Sequence, residues 1–501
     1  MSRRIAIDLN RVEGDLELDV EIQDGRVVDA WCKGVLYRGF EQILIGRDAL
    51  DPLAITPRIC GICGTAHLYT AVLALENAFN ISVPDNGKRI RNVCLLAEEI
   101  LSDCRQTFLM FTPDLCHEKY AGVEGFDQVV SEFKEISGQA YRDAVKQSKK
   151  IVEIVAIFGG QWPHSSYMVP GGVTTPVNTR NLHDALNVLD GYTNWFEKRV
   201  IGDDLENWMA MDKAADYLQW CEENPDNIAS LFTRFGRLLG LQDYAQGSQN
   251  HLSYGYLPDG ENNSLLRTGG YIRQGDVDNQ QSFDHLKITE DLSHAWFNDE
   301  LAKPLHPYDG VTQPNYSEGG KAYSWAKAPR YDDQVVQTGA LSSLLNSGDG
   351  LMRDFAKAEG SNAWLRQFAR IRRQAGSLLM VRKLLNDLLA HEHQPFIENQ
   401  PLGQDGEGFG TIEAARGCLG HWVKIRDGKI AHYQVVTPTA WNASPRDAQE
   451  RRGHWEESLI GVPIADENDP LEIGHVIRSH DPCLVCTVHV MGNDKRLWFG
   501  K

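Results

Sequence analysis

Two short stretches near opposite ends of the chain hold the residues best suited to chemistry. "PRICGICGTAH", Pro57 to His67, contains Cys60 and Cys63, and "DPCLVCTVH", Asp481 to His489, contains Cys483 and Cys486. A Cys-x-x-Cys pair offers two soft sulfur donors to one metal ion, and two such pairs make a four-thiolate site. Structural zinc is the plainest use of four cysteines. It suits the spacing poorly, because zinc knuckles lie close together in small modules, whereas nearly the whole chain separates these pairs. Closing so long a loop adds stability only logarithmically. Two independent thioredoxin-like redox pairs fit no better, since neither lies between the strand and helix of a βαβ unit. The flanks add charge that structural zinc does not require: Arg58 precedes Cys60 and Asp481 precedes Cys483. His67 and His489 follow their pairs at a spacing that brings each to the same face of a following helical turn.

The other six cysteines (Cys32, Cys94, Cys104, Cys116, Cys221 and Cys418) stand singly in apolar or helical surroundings and read as core thiols. Ten cysteines in 501 residues, with a core to spare, point to a reducing compartment, the cytoplasm, rather than to a disulfide-stapled secreted protein. The net charge of -19, from 69 acidic and 50 basic side chains, disfavours nucleic acid and anionic membrane surfaces as partners. No apolar h-region follows Arg3 and Arg4, and apolar runs are too short for a bilayer, so neither export signal nor membrane span is expected.

Something must bring the two ends together. "LELDVEIQDGRVVDAW" alternates apolar and polar residues around Asp24-Gly25, which predicts an antiparallel hairpin, and "HWVKIRDGKIAHYQVVTP" predicts a second around Asp427-Gly428. Between them helical spacing dominates. It follows Gly64, runs through "KRIRNVCLLAEEILSDCRQTFLMF" until Pro113, and returns over about 128–158, 181–221 and 340–392, with glycine- and proline-bearing loops such as "NQPLGQDGEGFG" between. No internal repeat or clean domain boundary is visible. The expected fold is α+β, a large helical body with small antiparallel sheets at its periphery.

The motifs "RVEGD", "YRGFE", "RICGICGTAH", "PGGV", "ARGCLGHW", "TPTAWNASPRD" and "SHDPCLVCTVH" occur in that order over essentially the whole chain. Together they resemble the large, catalytic subunit of nickel-iron hydrogenases, most closely its soluble uptake and sensor branch, in which the first motif also ends in Asp. The resemblance implies one large-subunit domain over 1–489, followed by a maturation peptide, 490–501, removed by a dedicated endopeptidase after nickel-insertion factors have acted. It implies that Cys60 and Cys483 are terminal nickel thiolates and that Cys63 and Cys486 bridge nickel to an iron carrying carbon monoxide and two cyanides. Arg416 then stands over the open metal position and Thr439 donates to a cyanide. Two positions depart from the family pattern, Ala415 for proline and Thr437 for valine.

By the same resemblance Glu13, otherwise a solvated hairpin carboxylate, is the proton relay beside Cys483. His67 donates to a bridging sulfur. Glu41, His489 and a backbone carbonyl near Val435 hold a third, divalent ion, magnesium. Asp103, an acid inside an apolar helix, must either face water or have a cation partner; the resemblance implies Arg416 as that partner, with Asp103 and Asp481 both near the active site. Ile62 and Phe111, bulkier than the family's usual valine and leucine, line a narrowed gas channel; ordinary core packing explains them equally well. The implied activity is reversible heterolytic cleavage of H2, in the uptake direction. No further cysteine cluster can hold iron-sulfur relays, so electrons must leave through an iron-sulfur small subunit. A hydrogen sensor with the same site is the alternative, though sensors generally lack the tail.

Overall fold

The N-terminal hairpin forms as the alternation predicts. In the computed structural model, which describes residues 3–8, 11–12, 14, 16–176, 178–260 and 263–483, strands β1 (Arg3–Asp8), β2 (Leu16–Gln23) and β3 (Arg26–Gly34) make an antiparallel sheet in that order. Asp24 and Gly25 both take positive φ, 52° and 71°, the geometry that a tight hairpin favours. The apolar side of this sheet, Leu18, Val20, Val27 and Cys32 among it, packs against Trp455, Ile473 and Ile477. It therefore covers the segment that leads to the second cysteine pair.

Helix α1 (Gly64–Phe79) begins directly after Cys63. Its first turn is capped from helix α2 (Asp85–Arg105), where the Glu98 carboxylate accepts from the amides of Thr65 at 2.9 Å and Ala66 at 3.0 Å. An acid placed at a helix N-terminus satisfies otherwise unpaired donors and the helix dipole. Helix α2 lies against the longest helix, α3 (Ala363–Ala390). The long helical tracts expected elsewhere are divided. Residues 340–392, for example, form Ala340–Ser347, Gly350–Glu359 and α3, broken at Gly348 and Gly360, whose φ of 90° and 68° a helix cannot continue.

One expected loop is a strand. Strands β4 (Gly406–Ala414), β5 (Gly417–Arg426) and β6 (Lys429–Val436) form an antiparallel sheet, and β4 begins inside the "NQPLGQDGEGFG" stretch. Its alternating glycines face α1. A Cβ at Gly408 or Gly410 would come within 2.3 Å of the Ala78 nitrogen or 2.2 Å of the Thr70 carbonyl oxygen, so the helix backbone rests directly on the strand. Asp427 and Gly428 make the predicted tight turn between β5 and β6. The chain then passes through the short helix α4 (Pro438–Asn442) and α5 (Leu471–Arg478) to Cys483.

One continuous apolar core takes in Cys60, Cys63 and Cys483 together with α1, α2 and α3. Of the six single cysteines, all are buried except the half-buried Cys116. Among the described residues no helix is long and apolar enough to cross a membrane.

Candidate metal centre

Cys60 follows the single helical turn Thr56–Arg58, and Cys63 is the residue from which α1 starts. Both are buried, as is Cys483. The sulfurs of Cys60 and Cys483 lie 3.6 Å apart. Two thiolates bound tetrahedrally to one ion at about 2.3 Å would stand about 3.7 Å apart, so this pair fits a shared metal ion. Cys486, His489 and Glu13 lie outside the described residues, and no metal is present in this structure.

The backbone near these sulfurs is pinned on both sides. The Ile62 amide donates to the Cys60 sulfur at 3.4 Å, and the Cys483 amide donates to the Thr439 hydroxyl at 3.3 Å. Thr439 sits in the first turn of α4, started by Pro438 behind the cap Thr437. The Thr437 hydroxyl accepts from the Ala440 amide, so this departure from the family pattern serves as a helix cap.

Arg416 is the second residue of the two-residue turn joining β4 to β5, where Ala414 pairs with Gly417. Gly417 has φ 124°, and a Cβ there would lie 2.0 Å from the Thr338 hydroxyl, so the turn can close only on glycine. From this tip the Arg416 Nε donates to Asp481 at 3.0 Å, both side chains being buried. Burial by itself would lower the guanidinium pKa. Asp481 and then the sulfurs of Cys483, Cys60 and Cys63 outweigh it and raise the value, which keeps Arg416 charged beside the thiols. Among the described residues, Arg416 Nη1 and the second Asp481 oxygen have no hydrogen-bond partner. They border a cavity of about 160 Å³ that Ile62, Val12, Ser102 and Gln106 also line.

Asp103 differs from the expectation. Its cation is Arg373 of α3, which donates to both carboxylate oxygens at 2.8 Å and 2.6 Å, while Arg416 belongs to Asp481. The hairpin delivers Arg416 toward the second cysteine segment, and α3 already fills the space beside α2. Arg58 also differs: it is exposed and turns back to the Ala54 carbonyl, so it places no charge beside the thiols. Phe111 packs on Phe232 and His475, at ring separations of 6.2 Å and 5.9 Å, and lines no part of this cavity. The eight-residue helical offset from Asp103 fails because α2 ends at Arg105 and a wider π-helical turn carries Gln106–Phe111.

His67 Nδ1 lies 3.2 Å from His421 Nε2, and His421 Nδ1 lies 2.8 Å from the Tyr433 hydroxyl. Burial holds His67 neutral, its pKa lowered to about 4. Its buried Nε2 has no partner among the described residues, which leaves one ring nitrogen for a group at the metal centre. His421 opens "HWVKIRDGKIAHYQVVTP", the stretch read as a hairpin, but nothing in the sequence linked it to His67.

Glu41 is buried in an oxygen-rich cluster. One carboxylate oxygen accepts from the Val435 amide at 2.8 Å, and the other from Thr312 and, at 3.2 Å, from Lys327, which also contacts Glu290 at 3.4 Å and Gln434. At Val435 the atom facing Glu41 is thus the N–H rather than a carbonyl. Oxygens of this kind suit a hard divalent ion, and burial pushes the Glu290 carboxyl up to about 7. Among the described residues no group of three or more His, Cys, Asp and Glu side chains converges closely enough to hold an ion.

Thiolates delivered from both ends of a helical subunit, beside a buried guanidinium, define a metal-centred redox protein. The family model for nickel-dependent hydrogenases matches residues 38–106 and 117–489, and the chain belongs to that family. It is 31% identical to the Hydrogenase-2 large chain of Escherichia coli (strain K12), over 99% of this chain and 98% of that one. To the uptake hydrogenase large subunit of Rhizobium leguminosarum bv. viciae it is 28% identical, over 98% and 96%. Its fold matches the crystal structure of a reduced, active form of the Ni-Fe-Se hydrogenase from Desulfomicrobium baculatum with a TM-score of 0.83 and 29% identity, covering 97% of this chain and all of that one. The chain is accordingly an oxidoreductase, a hydrogenase large subunit.

Proposed function

We propose that this chain is the catalytic subunit of an uptake nickel-iron hydrogenase, which splits H2 heterolytically into two protons and two electrons. The observation that carries the reading is the meeting of Cys60 and Cys483 near the buried Arg416, which lines a small cavity together with Asp481 and Ile62. Cys60, Cys63, Cys483 and Cys486 would hold the nickel-iron centre, its iron bearing carbon monoxide and two cyanides; when bound, the centre polarises H2 and accepts its electrons. Arg416 offers a charged, buried N–H toward the cavity, with Asp481 fixing its direction. Thr439 is placed by the Cys483 amide to present its own O–H to a neighbouring acceptor. Glu13 would take the proton, since heterolytic cleavage needs a base within reach of the centre.

Glu41 and His489 would hold a magnesium ion near the end of the processed chain. Electrons would pass to an iron-sulfur small subunit, because the single cysteines are dispersed through the core. The tail beyond His489 favours an enzyme over a hydrogen sensor. The test is nickel and iron content, infrared bands of carbon monoxide and cyanide, and H2 oxidation with an artificial acceptor in the purified two-subunit complex. A complex holding zinc, without those bands, would remove the reading.

A further inference from the structure

Asp103 and Arg416 do not touch, yet one side chain joins them. Arg373 donates to both oxygens of Asp103, and the same Nη2 that reaches Asp103 also donates to the carbonyl of Ala415, the residue before Arg416 in the hairpin turn. Its third nitrogen lies 3.5 Å from Glu99. Glu99 in turn accepts from Tyr256 at 2.6 Å, Ser377 at 2.6 Å and Arg267 at 2.9 Å. Asp103, Arg373 and Glu99 are all buried. Burial opposes the charge of Arg373, but Asp103 and Glu99 outweigh it and raise its pKa, so the fork stays protonated.

We propose that Arg373 is the positioning residue for Arg416: it ties the tip of the β4–β5 hairpin to α2 and α3, and Asp103 acts on the site only through it. This rests on reading Arg416 as facing the metal centre. A planar guanidinium can hold a carboxylate with two N–H groups and a carbonyl with a further one at once, which a lysine ammonium on a flexible stem cannot reproduce. A two-residue turn projects its tip beyond the last ladder pair, Ala414 with Gly417, so strand pairing does not hold Ala415; Thr338 packs on Gly417 and Asp481 holds the Arg416 side chain, while Arg373 holds the Ala415 carbonyl. Donors in a reaction site are effective only when held before the reaction starts, so slack at Ala415 becomes misdirection at Arg416.

The experiment compares Arg373→Lys, Asp103→Asn and the double variant in the two-subunit complex. Each single change should lower kcat by about 10-fold, in the range typical of residues that orient a metal site from behind, with KM for H2 within about twofold. The double variant should be no worse than Arg373→Lys alone, because one route is being cut twice. Amide hydrogen exchange over the Ala414–Gly417 turn should quicken in Arg373→Lys while α1 is unchanged, a readout that needs no metal. If Arg373→Lys does not fold, Asp103→Asn, which keeps size and shape, carries the same exchange test. Losses that multiply in the double variant, or turn exchange unaltered in the variant measured, would overturn the proposal. A wild-type complex lacking nickel would instead sink the functional reading, with the exchange measurement still deciding the role of Arg373.

Discussion

The sulfur of Cys60 stands 3.6 Å from that of Cys483, a residue 423 positions further along the chain. Each is held by a backbone hydrogen bond: the Ile62 amide donates to the Cys60 sulfur, and the Cys483 amide donates to the Thr439 hydroxyl. Replacing any of Cys60, Cys63, Cys483 or Cys486 with serine should abolish nickel and iron incorporation while the helical body folds. Metal analysis and far-ultraviolet circular dichroism of the four variants check this. Any one that still binds both metals would break the ligand set.

Glu13→Gln keeps the side chain's shape and removes its basicity. Turnover and hydrogen–deuterium exchange should fall by about 100-fold, with metal content unchanged. Exchange at the parent rate would take Glu13 out of the mechanism.

The intact mass of the active large subunit should end at His489, the twelve residues from Val490 to Lys501 having been removed. A fully active subunit that retains Lys501 contradicts the maturation-peptide reading.

The cavity beside Arg416 is small, and Ile62 is part of its wall whereas Phe111 is not. Ile62→Val should therefore speed inactivation by oxygen and leave anaerobic turnover within about twofold, since the change removes one methylene beside the site. Phe111→Leu should cost stability, about 1 kcal/mol or more, with oxygen tolerance unaltered. Inactivation rates in air-saturated buffer separate the two, and equal rates for parent and Ile62→Val would end the channel idea.

His475 in α5 is buried, with Nε2 2.9 Å from the Tyr120 hydroxyl and Nδ1 without a partner among the described residues. Burial is the main cause that lowers its pKa to about 4. Between that value and about 6.5 the unfolded chain binds the proton that the fold refuses, so stability is full above pH 6.5 and falls as pH drops. At pH 5.5 the loss through this group should be about 1 kcal/mol relative to pH 7.5. His475→Gln should flatten that part of the melting-temperature profile. An unchanged slope would show that other buried histidines set it.

The thiol pairs, the two Asp-Gly hairpins and the helix behind Cys63 were legible in the sequence because each depends on residues close together in the chain. Soft donors at a fixed spacing, a dipeptide that tolerates positive φ and a run of apolar residues at helical spacing are local properties. The glycine-rich strand β4 was not legible, because its glycines answer to α1, more than three hundred residues earlier, as the would-be contacts with Thr70 and Ala78 demonstrate. Which partner each buried charge takes was also beyond the sequence. The resemblance pointed Asp103 to Arg416, but the packing of α2 on α3 and the reach of the β4–β5 turn gave Arg373 to Asp103 and Arg416 to Asp481. The π-helical turn after Arg105 likewise moved Phe111 off the cavity. Residue type and spacing determine what chemistry is possible; which donor faces which acceptor depends on long-range packing, because the free energy of a buried ion pair is set by separations of an ångström that no local pattern encodes.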